Sequence, residues 1–196
     1  MRLLAPTLLL AAALLAGLAA CRPREPLPVL AELPEFSLIE RSGTPLDKAA
    51  LAGRPAIVDF IFTRCPASCP RLTARMKELE RRIPESSTVR LLSITVDPEH
   101  DRPAELTSYA EGWQAGPRWL FATGERAAIW ELIRKGFLLA VEATPEDTTS
   151  PILHSNRFAL VDGQGRLRAT YIAFEEDALD RVLADLAAVE AEGGKR

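Results

Sequence analysis

The segment that most restricts this chain is the apolar run of residues 56–62, bounded by Gly53-Arg54-Pro55 and followed by Cys65-Pro66-Ala67-Ser68-Cys69-Pro70. A short apolar run between turn residues is the signature of a strand buried in the middle of a sheet. Residues 70–82 then repeat Leu72, Met76 and Leu79 at helical spacing, which places those three in the core. Both thiols therefore sit where a central strand gives way to a helix. Unpaired backbone N–H groups and the positive end of the helix dipole favour thiolate there, and Arg64 and Arg71 add positive charge. A thiolate pair so placed either cycles between dithiol and disulfide or holds a soft metal ion such as Cu(I).

A second apolar run covers residues 89–96, and Pro103 opens a helix with Leu106 and Tyr109 on one face. Residues 119–122 read as a short strand, 126–135 as a helix and 137–141 as another strand. Two β-rich runs at 157–161 and 166–171 flank Asp162-Gly163-Gln164-Gly165, the pattern of an antiparallel hairpin. A final helix over 176–190 carries Leu179, Val182, Leu183, Leu186 and Val189 along one stripe. Parallel βαβ units closed by a hairpin and a helix make an α/β fold, a central mixed β-sheet flanked by helices. With a cysteine pair at the end of a central strand, a thioredoxin-like fold is expected.

At the N-terminus, Met1-Arg2 leads into an apolar stretch that ends Leu18-Ala19-Ala20-Cys21. Small residues ahead of a cysteine resemble a lipoprotein cleavage site, so residues 1–20 are expected to be a signal peptide and Cys21 to carry the lipid. An uncleaved anchor is the competing reading, because the apolar length approaches the roughly 20 residues that span a bilayer; it leaves the cysteine unexplained. Either way the domain is expected outside the cytoplasm, on the periplasmic side, and tied to a membrane. The three cysteines are then accounted for, one lipidated and two in the motif. Outside the cytoplasm an unprotected pair oxidises, so a working dithiol calls for a dedicated reductant or a bound metal. Residues 21–34, with Pro23, Pro26, Pro28 and Pro34, read as a semi-rigid tether, 35–190 as one compact domain and 191–196 as a flexible tail. A net charge of -3, with no basic stripe interleaved with aromatics, argues against nucleic acid as a partner.

Only two histidines are present. His154, in Ile152-Leu153-His154-Ser155-Asn156, lies just before the hairpin, in a loop that faces the cysteine turn in a thioredoxin-like fold. A neutral imidazole there would complete a three-coordinate site with Cys65 and Cys69, acceptable to Cu(I) and adaptable to Cu(II). A lone histidine before a strand is more often a surface or capping residue. His100, among the charges of Val96-Asp97-Pro98-Glu99-His100-Asp101-Arg102-Pro103, reads as part of a solvated loop that caps the next helix.

Three separated pieces, in this order, carry a family resemblance. They are Phe62-Thr63-Arg64-Cys65-Pro66 with Cys69-Pro70, Val96-Asp97-Pro98-Glu99 with Asp101 and Pro103, and His154-Ser155 ahead of Leu160-Val161-Asp162. Together they resemble the Sco (SenC) copper proteins, which assist assembly of cytochrome c oxidase. The resemblance implies that Cys65, Cys69 and His154 bind copper. It implies a membrane-tethered metallochaperone for the binuclear copper centre, with the copper-bearing subunit of the oxidase as partner and another copper chaperone or a thiol reductant upstream. Two positions depart from the family pattern: Leu153 stands where several members have an acidic residue, and Ala67 where many have a polar one.

On this reading the chain is a binding protein rather than an enzyme with turnover. The alternative is a thiol–disulfide oxidoreductase that reduces the target's cysteines, with His154 handling protons. A peroxiredoxin pattern, Pro-x-x-x-Thr-x-x-Cys, is absent: Val58 and Phe62 hold those places ahead of Cys65, and Phe62 and Pro66 ahead of Cys69. A purely structural Cys65–Cys69 disulfide would close too short a loop to stabilise much.

Overall fold

The computed structural model describes residues 25–145 and 151–194. Residues 1–20, expected to be a signal peptide, Cys21 and the last two residues lie outside that range. Among the described residues no helix is long and apolar enough to cross a membrane.

The apolar run forms β4 (Ala56–Ile61), all six residues of which are buried. It pairs in parallel with β5 (Arg90–Thr95), and β5 pairs in parallel with β6 (Trp119–Thr123). The crossovers are α1 (Ser68–Arg82) and α2 (Pro103–Gly112), as a parallel sheet requires. On its other side β4 runs antiparallel to β9 (Arg157–Val161), which is joined by its hairpin to β10 (Arg166–Ile172). Shorter strands close the edges: β1 (Ala31–Glu32) on β10, and β2 (Ser37–Glu40) with β3 (Pro45–Asp47) beyond β6. The sheet is thus eight-stranded and mixed, in the order β1-β10-β9-β4-β5-β6-β2-β3. The C-terminal helix α4 (Ala178–Gly193) touches β10 and α1, which itself packs on β4. This is the thioredoxin-like arrangement expected from the sequence.

The core repays the ordering of these elements with large side chains. Phe60 meets Phe137 edge-on at 5.1 Å, and Trp119 stacks on Phe121 at 5.2 Å. Each such buried aromatic contributes on the order of 2–3 kcal/mol. Leu72, Met76 and Leu79 of α1 are fully buried, as their spacing predicts.

Three features differ from the sequence reading. Helix α3 (Arg126–Glu131) runs on into a π turn, Leu132–Gly136, and Leu138 then adopts a left-handed backbone (φ 55°), so the strand expected at 137–141 starts only as β7 (Val141–Ala143). It pairs with β8 (Ile152–His154) in a separate small sheet. The packed domain also begins before residue 35: Leu33 is in the core, and the Leu30 and Leu33 amides donate to the carbonyls of Leu167 and Gly165.

Candidate metal centre

Strand β4 delivers the chain to the cysteine turn at the carboxyl end of the sheet, where crevices form in open α/β folds. The Cys65 amide donates to the Phe62 carbonyl (3.2 Å), which closes the turn, and α1 starts at Ser68. Ala67, the residue before α1, offers no side-chain cap. The sulfur of Cys65 takes that place, accepting from the Cys69 amide at 3.5 Å. Cys69 Sγ in turn lies 3.5 Å from the Phe62 amide, tucked against the end of β4.

This arrangement makes the two thiols unequal. Burial works against a charge on Cys65, but the His154 ring and the amides of Cys69 and Ala67 outweigh it and bring the thiol down to about 5. Cys69 is buried more deeply, and burial, with the negative charge of Cys65 and Asp59 nearby, pushes its thiol well above the ordinary value. Cys65 is therefore the thiolate of the pair at neutral pH, and Cys69 keeps its proton.

His154 ends β8, opposite Val141 in the small sheet, and only 9% of it is exposed. Its Nδ1 lies 3.3 Å from the Ser155 carbonyl, which can only accept, so Nδ1 carries a proton and Nε2 faces the sulfurs. Nε2 stands 3.3 Å from Cys69 Sγ, and the edge-on Phe62 ring, 5.7 Å away, holds the imidazole from the side. Nε2 is the ring nitrogen that favours the Cys65 thiolate and is placed to offer a lone pair to a metal ion. The sequence-derived trio is thus brought to one shielded place. It is not closed around a single point, nor is any other trio of His, Cys, Asp or Glu side chains among the described residues. Cys65 Sγ also lies 3.7 Å from Ser68 Oγ.

The loop after β5 was expected to be solvated, and the structure corrects that in part. His100 is exposed, but Asp97 and Asp101 are buried. Asp101 accepts the Thr63 amide (3.0 Å), the Thr63 hydroxyl (2.5 Å) and the Thr95 hydroxyl (2.5 Å), while Asp97 accepts Arg64 Nε at 2.7 Å. Two carboxylates on the neighbouring strand's loop clamp the two residues that precede Cys65. The clue in the sequence is topological: a loop that follows the strand beside β4 must lie against the cysteine turn. Asp101→Asn removes the charged acceptor and puts an N–H₂ either against the Thr63 amide, which can only donate, or in place of the oxygen that the Thr63 hydroxyl reaches. It is expected to cost about 1–3 kcal/mol in urea unfolding of the reduced protein. An unchanged midpoint would show that the clamp does not hold the turn.

The family model for SCO1/SenC matches residues 26–189, from ahead of β1 into the C-terminal part of α4. The chain belongs to the SCO1/SenC family. It is similar to the SCO1 protein homolog of Bacillus subtilis, 31% identical over 162 residues, which cover 81% of this chain and 83% of that protein. Among solved structures it resembles BsSco, a member of the Sco family of cytochrome c oxidase assembly proteins in which a disulfide switch was identified. That match has a TM-score of 0.76 and 28% identity, and covers 85% of this chain and 98% of BsSco. It also resembles Bradyrhizobium japonicum ScoI with copper bound (TM-score 0.69, 25% identity, 81% and 99% covered).

One residue of this SCO1/SenC domain escaped the reading of the apolar run. Asp59, in the middle of β4, is fully buried; Oδ1 accepts the Ser93 hydroxyl at 2.6 Å, and Ser93 Oγ accepts Trp119 Nε1 at 2.9 Å. Its Oδ2 has no hydrogen-bond partner among the described residues. Burial, only partly offset by Ser93, raises the carboxyl to about 7. A lone carboxylate inside an otherwise apolar strand was the available signal.

Proposed function

We propose that this SCO1/SenC protein is a membrane-tethered metallochaperone that binds copper through Cys65, Cys69 and His154 and serves assembly of the binuclear copper centre of cytochrome c oxidase. The observation that carries the reading is the meeting of two sulfurs and an imidazole nitrogen at the end of β4, with His154 Nε2 3.3 Å from Cys69 Sγ. Two thiolates and one imidazole suit Cu(I) and also accommodate Cu(II). The copper-bound ScoI structure and the oxidase-assembly role of the Sco family to which BsSco belongs support the same cargo and target. Copper is cargo here. Cys65 meets the ion as a thiolate, Cys69 releases its proton on binding, and His154 supplies a neutral nitrogen. Release goes by ligand exchange, the target's thiolates displacing the single neutral ligand first and the two sulfurs afterwards. Cys21, lipidated on the outer side of the membrane, would keep the domain beside a membrane-bound target.

The inequality of the thiols favours a second activity at the same site. The Cys65 thiolate attacks a target disulfide and releases one target thiolate. Cys69 then gives up its proton and attacks Cys65 Sγ, which frees the second target sulfur. The target disulfide is reduced, and Cys65–Cys69 becomes the disulfide.

Anaerobic titration with Cu(I) against a competing chelator tests the reading in the parent, Cys65→Ser, Cys69→Ser and His154→Ala forms. One tight equivalent is expected, lost in both cysteine variants and weakened at least about tenfold in the histidine variant, as for loss of one of three ligands. Weak binding by the parent, with ready reduction of a small disulfide, would put the oxidoreductase first.

A further inference from the structure

One buried side chain fixes where the chain enters the domain. Arg168 on β10 is 3% exposed. Its Nη1 donates to Asp162 Oδ2 (3.0 Å) and Glu192 Oε2 (2.9 Å), its Nε to the Pro28 carbonyl (3.1 Å), and its Nη2 to the Leu27 carbonyl and to Glu192 Oε1 (3.3 Å). The planar guanidinium serves two carboxylates and two main-chain carbonyls at once, which the single ammonium of a lysine does not. From there the chain runs into β1, with the Leu30 amide on the Leu167 carbonyl at 2.8 Å, and Leu33 drops into the core beside Gly136. A cross-strand register places this clamp. Leu167 is level with Val161, and Val161 with Ala56, the first residue of β4. Glu192 lies in the last turn of α4. The cysteine turn follows the other end of β4, about 20 Å away at about 3.3 Å per residue.

We infer that the Arg168 clamp sets the stance of the domain on its anchor, with the base held toward the bilayer and the Cys65–Cys69–His154 pole turned away from it. This rests on the proposed anchor at Cys21. Between Cys21 and Leu27 the chain spans at most about 20 Å. The metal pole therefore stands up to about 40 Å above the membrane surface, combining tether and strand. The partner that fits is a membrane protein that presents its copper-receiving sulfur groups on an extramembrane domain at that height. With the base toward the bilayer, the pole keeps at least about 20 Å from groups at the lipid surface. If instead residues from Leu27 onward hung free, the proline-rich segment would act as a swivel and either pole could face the bilayer.

The test uses the full-length, processed protein in vesicles of phosphatidylethanolamine and phosphatidylglycerol, with an acceptor dye on the lipid headgroups. A donor dye is placed through a non-natural side chain at Gln164, in the β9–β10 turn at the base, or at His100, exposed beside the cysteine turn. Energy transfer from the base is expected to exceed transfer from the pole at least about twofold, given the separation along β4. In Arg168→Lys, which keeps the charge and loses the fork, hydrogen exchange at the Leu30 amide is expected to rise about tenfold or more. Protein that stays out of the vesicle fraction would overturn the anchor and the stance with it. Bound protein with equal transfer from both labels would overturn the stance alone. Unchanged exchange at Leu30 would take the clamp from Arg168.

Discussion

Asp59→Asn is expected to stabilise the reduced, metal-free domain by about 2–4 kcal/mol at pH 8 and to leave its stability nearly unchanged at pH 4. In the unfolded chain an aspartate ionises near its ordinary value, whereas in the fold burial holds this carboxyl to about 7. Between those two values the folded state binds more protons than the unfolded one, so stability falls as pH rises and the full cost is reached above about pH 7. Holding the carboxyl to about 7 rather than at its ordinary value of 3.8 corresponds to about 4 kcal/mol, at about 1.4 kcal/mol per tenfold change in proton affinity. The asparagine keeps the shape and an oxygen for the Ser93 hydroxyl, and it removes the ionisation that the site cannot solvate. Urea unfolding at pH 4 and pH 8 decides the matter. A variant no more stable than the parent at pH 8 would mean that Asp59 is not a buried acid held near neutrality. The same charge lies close enough to Cys69 to push its thiol up, so the strand that carries the cysteine turn also carries a group whose ionisation opposes a second negative charge there.

What could be read from the sequence follows the physics of each element. The run of residues 56–62 had to be central because nothing but burial on both faces accounts for it, and α1 and α4 follow from apolar positions that repeat at helical spacing. The edges were not legible. Strands β1, β2 and β3 are two to four residues long, and their placement depends on partners far along the chain, such as Leu167 and Thr123. The π turn that delays β7 was not legible either: Leu33 and Pro34 fill the space that a side chain at Gly136 would need, and no local pattern announces that approach. At the candidate site, Cys65, Cys69 and His154 were named as ligands by donor chemistry and by the family resemblance, and Cys69 and His154 come within 3.3 Å of each other. Asp97 and Asp101 were misread because a run of charges in a loop looks solvated until the sheet order puts it beside the cysteine turn. Arg168 was passed over for the same reason. An arginine in a strand looks exposed until its four acceptors, two of them main-chain carbonyls near residue 28, are known.

Alkylation of the reduced, metal-free protein is expected to strike Cys65 almost alone, with a rate that levels off above about pH 6 and a midpoint near 5 rather than near the ordinary thiol value of 9. Cys65→Ser should lose labelling by about a hundredfold at pH 7, while Cys69→Ser keeps it, because Cys69 holds its proton across that range. The sign follows from the folded site. A thiolate at Cys65 is favoured by the α1 amides and the His154 ring, so the folded state releases that proton earlier than the unfolded chain. Stability from this group is fully present above about pH 9 and is lost as pH falls through about 5, opposite in slope to the effect of Asp59. His154→Ala separates the contributions, since removing the ring should move the midpoint up while the Cys69 and Ala67 amides remain. Equal labelling of both cysteines, or a midpoint near 9 in the parent, would show that the start of α1 holds no thiolate. Both the ready-made sulfur ligand and the attacking thiolate of the alternative activity would then have to be made by the partner rather than by the fold.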